Sequence, residues 1–307
     1  MSQKHEVWGW MLAVDFFFAG MGGGMLVILG ILDLFVGEGR ISLLAPFMAA
    51  VFIGIGSSLL ILELGRPFQA LRVFVNPKAI LTFGAWCMSF ALTFALVYLS
   101  FGFDMFFWSS WIVARKIVAI LCFVFGLIVA TYPGILLGRH KGRPFWHGPG
   151  IMILFLLSSL VTGVAAHVLC GLIVKPATIT DVLGTFPAWT AGLLAFQLLL
   201  WFGYMWVKKS GGTTAEAVAT ERWLSGDLSS SFKVGFIGLG TIVPLILSLS
   251  SSPAAQAVGA VLVLLGGALM RMLVVRGGED RTWFPGEQKY RSRLPKGNEA
   301  FLKAWNK

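Results

Sequence analysis

The sequence predicts an all-α, polytopic membrane protein with eight transmembrane helices. Of its 307 residues, 57% are hydrophobic and only 12% are charged, and the mean hydropathy is +0.83. Soluble domains carry about 25% charged residues, and disordered chains are more polar still. Eight spans of about 20 residues need about 160 residues, and a sequence of this length supplies them. The composition therefore excludes soluble enzymes as a class.

Eight apolar runs predict the spans. They cover about 8–35, 42–64, 79–101, 112–138, 150–174, 187–207, 232–250 and 254–275. Because a backbone exposed to lipid must satisfy its own hydrogen bonds, each run predicts a helix. Only a short segment around Pro253 separates the last two runs, which predicts a helical hairpin. The first run is too long for the apolar region of a signal peptide, so we expect no cleavable leader.

The basic residues predict the orientation in the membrane. An even number of spans puts both termini on one side, and 20 of the 24 Lys and Arg residues then fall on that side. The other four are Arg40, Arg115, Lys116 and Lys175. Since an excess of basic residues marks cytoplasmic loops, both termini are expected in the cytoplasm. This pattern also accounts for the net charge of +10 without nucleic acid.

Two segments outside the spans carry local signals. Thr213 and Glu216 have the spacing of a capping box, which predicts a short surface helix carrying Trp223. Residues 276–307 are rich in glycine and proline and contain aromatic side chains suited to contact with another protein. We therefore expect an eight-helix transmembrane domain over 1–275 and an extended cytoplasmic-side tail over 276–307 that docks on a partner.

The cysteines and histidines argue against a metal or haem site in this protein. Cys87, Cys122 and Cys170 lie inside apolar runs without metal-ligand spacing, which indicates small buried hydrophobes. A b-type haem needs two axial ligands, and only His167 falls within a span. We expect His167 to be a hydrogen-bonded core residue facing Gln197 or another polar neighbour.

Asp15 is the first polar residue at membrane depth, about two turns into the first run. An ionised side chain there costs about 3 kcal/mol on insertion scales. Either a neighbouring helix caps the carboxylate, or Asp15 acts as a proton donor or acceptor, and we favour the second. The glycines of 20–24 allow close approach of another helix or of a flat ligand, and helix packing is the more common cause.

Tyr132 is expected at a depth comparable with that of Asp15, because the fourth run returns toward the terminal side. Pro133 loosens the local helical bonding, and we expect Gly134 to open space beside the phenol. A phenol and a carboxylate at matched depth could bond the oxygen of a quinone head group and exchange its protons. The alternative is a tyrosine of the interfacial aromatic belt.

Further candidates lie at the terminal side of the second and fourth runs. Glu63 and Arg66 end the second run and, with Asp15, could form a proton pathway. Residues 139–147 are either a solvated basic loop or a docking surface for an acidic partner. The docking candidates are Arg139, His140, Arg143, Trp146 and His147.

Four short motifs in the same order resemble the NrfD/PsrC family, the membrane subunits of polysulfide reductase and related molybdopterin oxidoreductases. The resemblance covers about residues 8–170. The motifs are Trp8-Gly-Trp10 with Asp15-Phe-Phe-Phe-Ala-Gly20-Met-Gly-Gly, Glu63-Leu-Gly-Arg-Pro67 with Asn76-Pro77, Tyr132-Pro-Gly134, and Gly142-Arg-Pro-Phe-Trp146-His-Gly148.

The resemblance implies a haem-free subunit of eight helices in two four-helix bundles. It implies that menaquinone or ubiquinone binds in the first bundle, about 8–138. Electrons would pass to or from a four-cluster ferredoxin-like iron–sulfur subunit joined to a molybdopterin catalytic subunit, at the plasma membrane of a bacterium or archaeon.

Site residues also follow from the resemblance. Tyr132 matches a quinone contact and Glu63 an acid of the family, whereas Asp15 stands where the family has a histidine. Aspartate can bond a quinol hydroxyl or take its proton, but it cannot mimic an imidazolium. The quinone end of polysulfide reductase faces the periplasm, whereas the charge count here places it in the cytoplasm, which we favour.

Two other functions remain open at this stage. A proton- or ion-conducting transporter could use Asp15, Glu63 and Arg66 as its path, although the sequence has no internal repeat and we expect no charged residue in the last two helices. A membrane anchor with a vestigial quinone site is the third possibility.

Overall fold

The computed structural model describes the backbone of residues 9–37, 41–63, 80–174 and 179–278, and their side chains except at 63, 80–81 and 179–185. This part of the protein is all-helical, as predicted, and contains no strand. Its α-helices are α1 Trp10–Phe35, α2 Leu44–Glu63, α3 Ile80–Ser100, α4 Ile112–Gly138, α5 Gly150–Ile173, α6 Ile179–Trp206, α7 Thr214–Leu224, α8 Val243–Ser248 and α9 Pro253–Gly277, with π-helices at Val207–Gly211 and Ser231–Ile242.

Eight helical stretches of the described residues are long and apolar enough to cross a membrane, which confirms the predicted number. The sixth stretch joins most of α6 to the first π-helix, and the seventh joins the second π-helix to α8. The predicted hairpin is also confirmed, since α8 ends at Ser248, α9 begins at Pro253, and the two helices pack together.

Helices α1 and α5 are the central helices. Within an 18-residue apolar window of these two spans, 83% and 78% of the residues are buried, against 28–39% in the windows of α2, α3, α4 and the sixth and seventh spans. Helix α1 packs against α2, α4, α5 and α9, and α5 packs against α1, α4, α6 and α9. The division into two four-helix bundles remains a prediction, because α5 contacts helices of both halves.

Three successive glycines explain how closely α1 meets its neighbours. A Cβ atom at Gly22 would lie 2.8 Å from a carbonyl oxygen of α2, and one at Gly23 would lie 2.8 Å from a carbonyl oxygen of α4. A Cβ atom at Gly24 would lie 2.6 Å from the carbonyl carbon of Ser159 in α5. Close backbone packing of three helices is therefore the role of these glycines.

The seventh span begins as a π-helix, whose hydrogen bonds join residues five apart. The N–H of Val243 donates to the carbonyl of Gly238, in keeping with that spacing. A glycine-on-glycine contact holds this wider helix against α9, since a Cβ atom at Gly240 would lie 2.6 Å from the Cα of Gly266.

Two charged residues lie deeper than the sequence count assumed. Arg115 falls in the first turn of α4, is 8% exposed, and places its Nε 3.2 Å from Oδ1 of Asp33. Arg271 lies within α9 and is 0% exposed. The expectation that the last two helices carry no charged residue is therefore wrong. When Arg115 and Arg271 are left out of the count of basic residues in loops, the excess still lies on the side of the termini.

The packing predicts opposite effects of alanine at two glycines. Gly24→Ala should destabilise the protein by about 1–3 kcal/mol, because backbone atoms of α5 cannot yield to the new methyl group. Gly171→Ala should be neutral or stabilising, because no atom lies within 4 Å of a Cβ there. Thermal unfolding of the full-length protein in detergent checks both, and equal midpoints would contradict the packing argument.

Candidate functional site

Asp15 lies on α1 and faces α2. It is 1% exposed, and a Cβ atom at Gly56 would lie 3.0 Å from its Oδ1 and 2.9 Å from the Cβ of Ala19. The glycine on α2 therefore makes the room that the carboxylate occupies. The sequence indicated the depth of Asp15 but not this partner, since α2 reads as a uniform apolar run.

Tyr132 lies on α4 and faces α3. It is 3% exposed, and a Cβ atom at Gly84 would lie 2.6 Å from its Cε2. Its hydroxyl is buried without a hydrogen-bond partner among the described residues. The expected role of Gly134 is wrong, because a Cβ there would lie 2.5 Å from the Cα of Met152 in α5. Gly84, not Gly134, makes room for the phenol ring.

Helices α1 to α4 each contribute one part of this site. Asp15 lies near enough to Tyr132 for its charge to act on the phenol, as does Cys87 of α3. The two polar side chains are each pressed against a glycine, Gly56 on α2 and Gly84 on α3. A carboxylate and a phenol in this setting can together accept and donate protons to one bound polar group.

Two predicted proton-pathway residues cannot be placed in this site. Arg66 lies outside the described residues, as does the tail beyond Gly278. Glu63 is the last residue of α2, but its side chain is not among those described. The pathway through Glu63 and Arg66 therefore remains a prediction.

The predicted docking loop presents its charged side chains and buries its aromatic ones. Arg139, His140 and His147 are exposed and Arg143 is half-buried. Trp146 is 1% exposed, and its indole N–H donates to the carbonyl of Val274 at 2.6 Å. The expected docking role of Trp146 is corrected, because a buried side chain offers no surface to a partner and here anchors the loop to α9.

Arg143 acts on two neighbouring side chains of this loop. The guanidinium of Arg143 lies 4.9 Å from the centre of the Trp146 ring, a cation–π contact. Partial burial and the nearby charge of Arg143 hold the pKa of His140 below its ordinary value. His140 therefore contributes less positive charge than an ordinary histidine. Arginine and lysine side chains supply most of the positive charge of this loop.

Helix α7 packs against the 139–149 loop. Helix α7 begins with the predicted capping box, in which the N–H of Glu216 donates to Thr213 Oγ1 at 3.3 Å and the N–H of Thr213 donates to Glu216 Oε2 at 2.8 Å. Trp223 is buried, contrary to its expected surface position, and stacks on Phe145 with ring centres 4.4 Å apart. Its aromatic ring thus belongs to the core.

Lys208, one of the 20 basic residues counted on the terminal side, is a buried cation. It is 6% exposed, donates to the carbonyls of Pro144 at 2.9 Å and His147 at 2.6 Å, and pairs with Glu216. These bonds tie the 139–149 loop to the start of α7. In the sequence, this pairing is indicated by a lysine that directly follows an apolar run and precedes a capping glutamate by eight residues.

Arg271 is another buried cation whose burial the sequence did not predict. Its guanidinium donates to the hydroxyls of Ser158 and Ser159 on α5 and lies 5.2 Å from the centre of the Phe155 ring. Its Nε has no hydrogen-bond partner among the described residues. The position of this arginine within the eighth apolar run was the feature of the sequence from which its burial could have been predicted.

His167 is a hydrogen-bonded core residue, as predicted. Its Nε2 lies 2.9 Å from the carbonyl oxygen of Met25, and its ring stacks on Phe186. The neighbour is thus Met25 and not Gln197. Within the described ranges, no three His, Cys, Asp or Glu side chains are grouped as metal ligands.

Comparison with known proteins extends the likeness beyond the first five helices. The family model described as "Polysulphide reductase, NrfD" matches residues 1–281. The protein belongs to the NrfD family. It is also similar to the C subunit of polysulfide reductase from Wolinella succinogenes, with 27% identity over 301 residues that cover 89% of this sequence and 94% of the relative. NrfD membership thus includes the last helices, which the four motifs did not reach.

The lowered pKa of Glu216, which caps α7, predicts that the stability of the protein depends on pH. Burial alone would raise the pKa of Glu216, but the bonds from Lys208 and Thr213 outweigh burial and hold it below its ordinary value of 4.5. The stabilisation is therefore present above the unfolded pKa and is lost as the pH falls from about 5 toward the folded pKa.

Thermal midpoints of the full-length protein in detergent between about pH 6 and about pH 4 measure this dependence. Glu216→Gln should remove the component that Glu216 supplies. Glu221→Gln is the control, because that exposed carboxylate, bonded to Ser225 and Lys209, is screened by solvent and should change the profile less. Identical profiles for the wild type and Glu216→Gln would contradict the assignment.

Proposed function

We propose that this NrfD-family protein is the haem-free membrane anchor of a reductase complex and binds a quinone or quinol at Asp15 and Tyr132. In that role it exchanges electrons between the quinone pool and an iron–sulfur subunit of a molybdopterin oxidoreductase. The observation that carries the proposal is the buried Tyr132 hydroxyl, which lacks a partner among the described residues and lies in electrostatic range of a buried carboxylate.

The residues present fit a quinone head group. A buried hydroxyl normally has a hydrogen-bond partner, and a quinone oxygen would supply one to Tyr132. The neighbouring surface is aromatic, with Phe18 of α1 and Phe52 of α2 in contact at a ring-centre distance of 5.8 Å. Menaquinone or ubiquinone, each an apolar ring with polar oxygens, suits such a site.

Each side chain has a separate task in the proposed reaction. The quinone, when bound, supplies two-electron chemistry coupled to two protons. Tyr132 orients the head group through its hydroxyl, while Asp15 takes or returns a proton at its carboxylate. The tight glycine contacts at Gly56 and Gly84 hold both groups in position. Glu63 and Arg66 would extend the proton pathway to the terminal side.

The proposed partners dock at the terminal side. A four-cluster ferredoxin-like iron–sulfur subunit would contact Arg139, His140, Arg143 and His147, and the tail of residues 276–307 would lie on it. A molybdopterin subunit would carry the catalysis. The relative is named as one component of polysulfide reductase, which supports a multi-subunit complex. We place the complex in a bacterial or archaeal plasma membrane with both termini in the cytoplasm, on the excess of basic residues.

Isosteric variants of the two polar residues test the site. Asp15→Asn should lower quinol-linked turnover of the complex by at least about a hundredfold, because a proton acceptor is lost. Tyr132→Phe keeps the ring on Gly84 and should weaken quinone binding about fivefold through one lost hydrogen bond. Both variants should assemble and keep the dye-linked activity of the catalytic subunit.

Tyr98→Phe is the matched control, because Tyr98 is another buried phenol of these helices, about 20 Å along α3 from Gly84. It should leave quinol turnover unchanged. Wild-type turnover in both Asp15→Asn and Tyr132→Phe would overturn the proposal. Extraction of the purified complex distinguishes a vestigial site, which would yield no quinone.

A proton- or ion-conducting transporter is the second candidate, favoured by buried charge in the spans. Arg271 is fully buried in α9, and Asp33 pairs with Arg115 between α1 and α4. Intramembrane charges often mark ion pathways. This function predicts flux in proteoliposomes containing the protein without any redox partner and loss of that flux in Asp15→Asn. No flux would exclude it.

A further inference from the structure

A groove of about 470 Å³ opens between α5 and α6, at the end where the 139–149 loop meets α7. Its size falls in the range of about 300–1,000 Å³ typical of small-molecule sites. The lining residues that matter here are Gly150, Ile153, Leu200, Gly203, Val207 and Lys208. None of them belongs to the Asp15–Tyr132 site on α1 to α4.

Glycine creates the space in this groove. No atom lies within 4 Å of a Cβ built at Gly203, so the wall of α6 is open there. On the opposite wall, a Cβ at Gly150 would lie 2.8 Å from the ring of Tyr204, so a larger residue would displace that ring. The two walls therefore meet at Gly150 and Tyr204, and the groove is open at Gly203.

The groove faces lipid along its apolar part. Ile153 is 44% exposed and Val207 is 63% exposed, and the adjacent Trp206 is 75% exposed. Since these helices cross a membrane, such side chains meet acyl chains rather than water. The occupant of the groove is therefore expected to come from the bilayer itself.

The length of the groove matches one leaflet. Leu200 and Lys208 are eight residues apart, about 12 Å along a helix. Half of a hydrocarbon core of about 30 Å is about 15 Å. A single acyl tail of one leaflet could therefore lie along the apolar part and bring its headgroup to the polar end.

The loop next to the polar end of the groove is positively charged. Lys208 and Glu216 line it and pair with each other, so their charges offset. His147 also lines it and is exposed, and it belongs to a loop with three further basic residues and no acidic one over 139–149. A basic surface at the membrane boundary attracts anionic lipid headgroups.

We propose that this groove binds a phospholipid with an anionic headgroup. One acyl tail lies along Ile153, Leu200 and Gly203, and the phosphate sits at the polar end lined by His147, next to the basic 139–149 loop. Bound there, the lipid fills the gap between α5 and α6 directly beneath the 139–149 loop.

Native mass spectrometry of the full-length protein in detergent, titrated with phosphatidylglycerol, tests the proposal. Gly203→Phe places a side chain in the groove and should weaken binding at least about tenfold, which corresponds to about 1.4 kcal/mol. Wild type should bind phosphatidylglycerol about fivefold more tightly than phosphatidylcholine at low salt, because the basic 139–149 loop attracts the anionic headgroup.

Gly192→Phe is the matched control. Gly192 lies on α6 eleven residues before Gly203, three turns along the same face, is exposed, and has no atom within 4 Å of a built Cβ. It does not line the groove and should bind lipid as the wild type does. Equal thermal midpoints for the two variants show that both fold.

Three results would overturn the proposal. They are wild-type affinity in Gly203→Phe, equal affinity for the two lipids, and equal losses in Gly203→Phe and Gly192→Phe. Loss of extractable quinone from Gly203→Phe with unchanged phosphatidylglycerol binding would assign the groove to quinone instead.

Discussion

The whole structure depends on the close approach of α1 to α2, α4 and α5. Helices in lipid gain little from burying apolar side chains against one another, because the lipid is itself apolar, so they associate through close packing and hydrogen bonds. Gly22, Gly23 and Gly24 allow that packing on three sides of one helix. They also fix where Asp15 and Asp33, near the two ends of α1, meet the other helices.

Charges buried within this packing are compensated in different ways. Asp33 pairs with Arg115 across α1 and α4. Among the described residues, the partners of Arg271 are the hydroxyls of two serines, the sulfur of Met270 and the face of Phe155. An arginine held in this way is costly in a membrane, and such residues are rare unless they serve a function. The Asp15–Tyr132 pair differs in combining a carboxylate with a neutral phenol, which suits the exchange of protons with a bound ligand.

The 139–149 loop links the proposed docking surface to the proposed lipid groove. Its aromatic side chains point into the protein, where Phe145 stacks on Trp223 and Trp146 bonds to Val274. The exposed part is therefore basic and held in a fixed shape, which favours recognition of acidic surfaces. Lys208 fixes the same loop from below and forms the polar end of the groove.

The sequence by itself determined the eight spans, the hairpin at Pro253, the capping box at Thr213 and the position of Asp15 within the first span, because run length, turn residues and local spacing are properties of neighbouring residues. Asp15 and Tyr132 of the candidate site were also proposed from the sequence. Gly56 and Gly84, the burial of Trp146 and the serine partners of Arg271 were decided only by the tertiary structure. Each depends on which helices meet and at what rotation, and in a protein whose helices are apolar on all sides no hydrophobic periodicity encodes that choice.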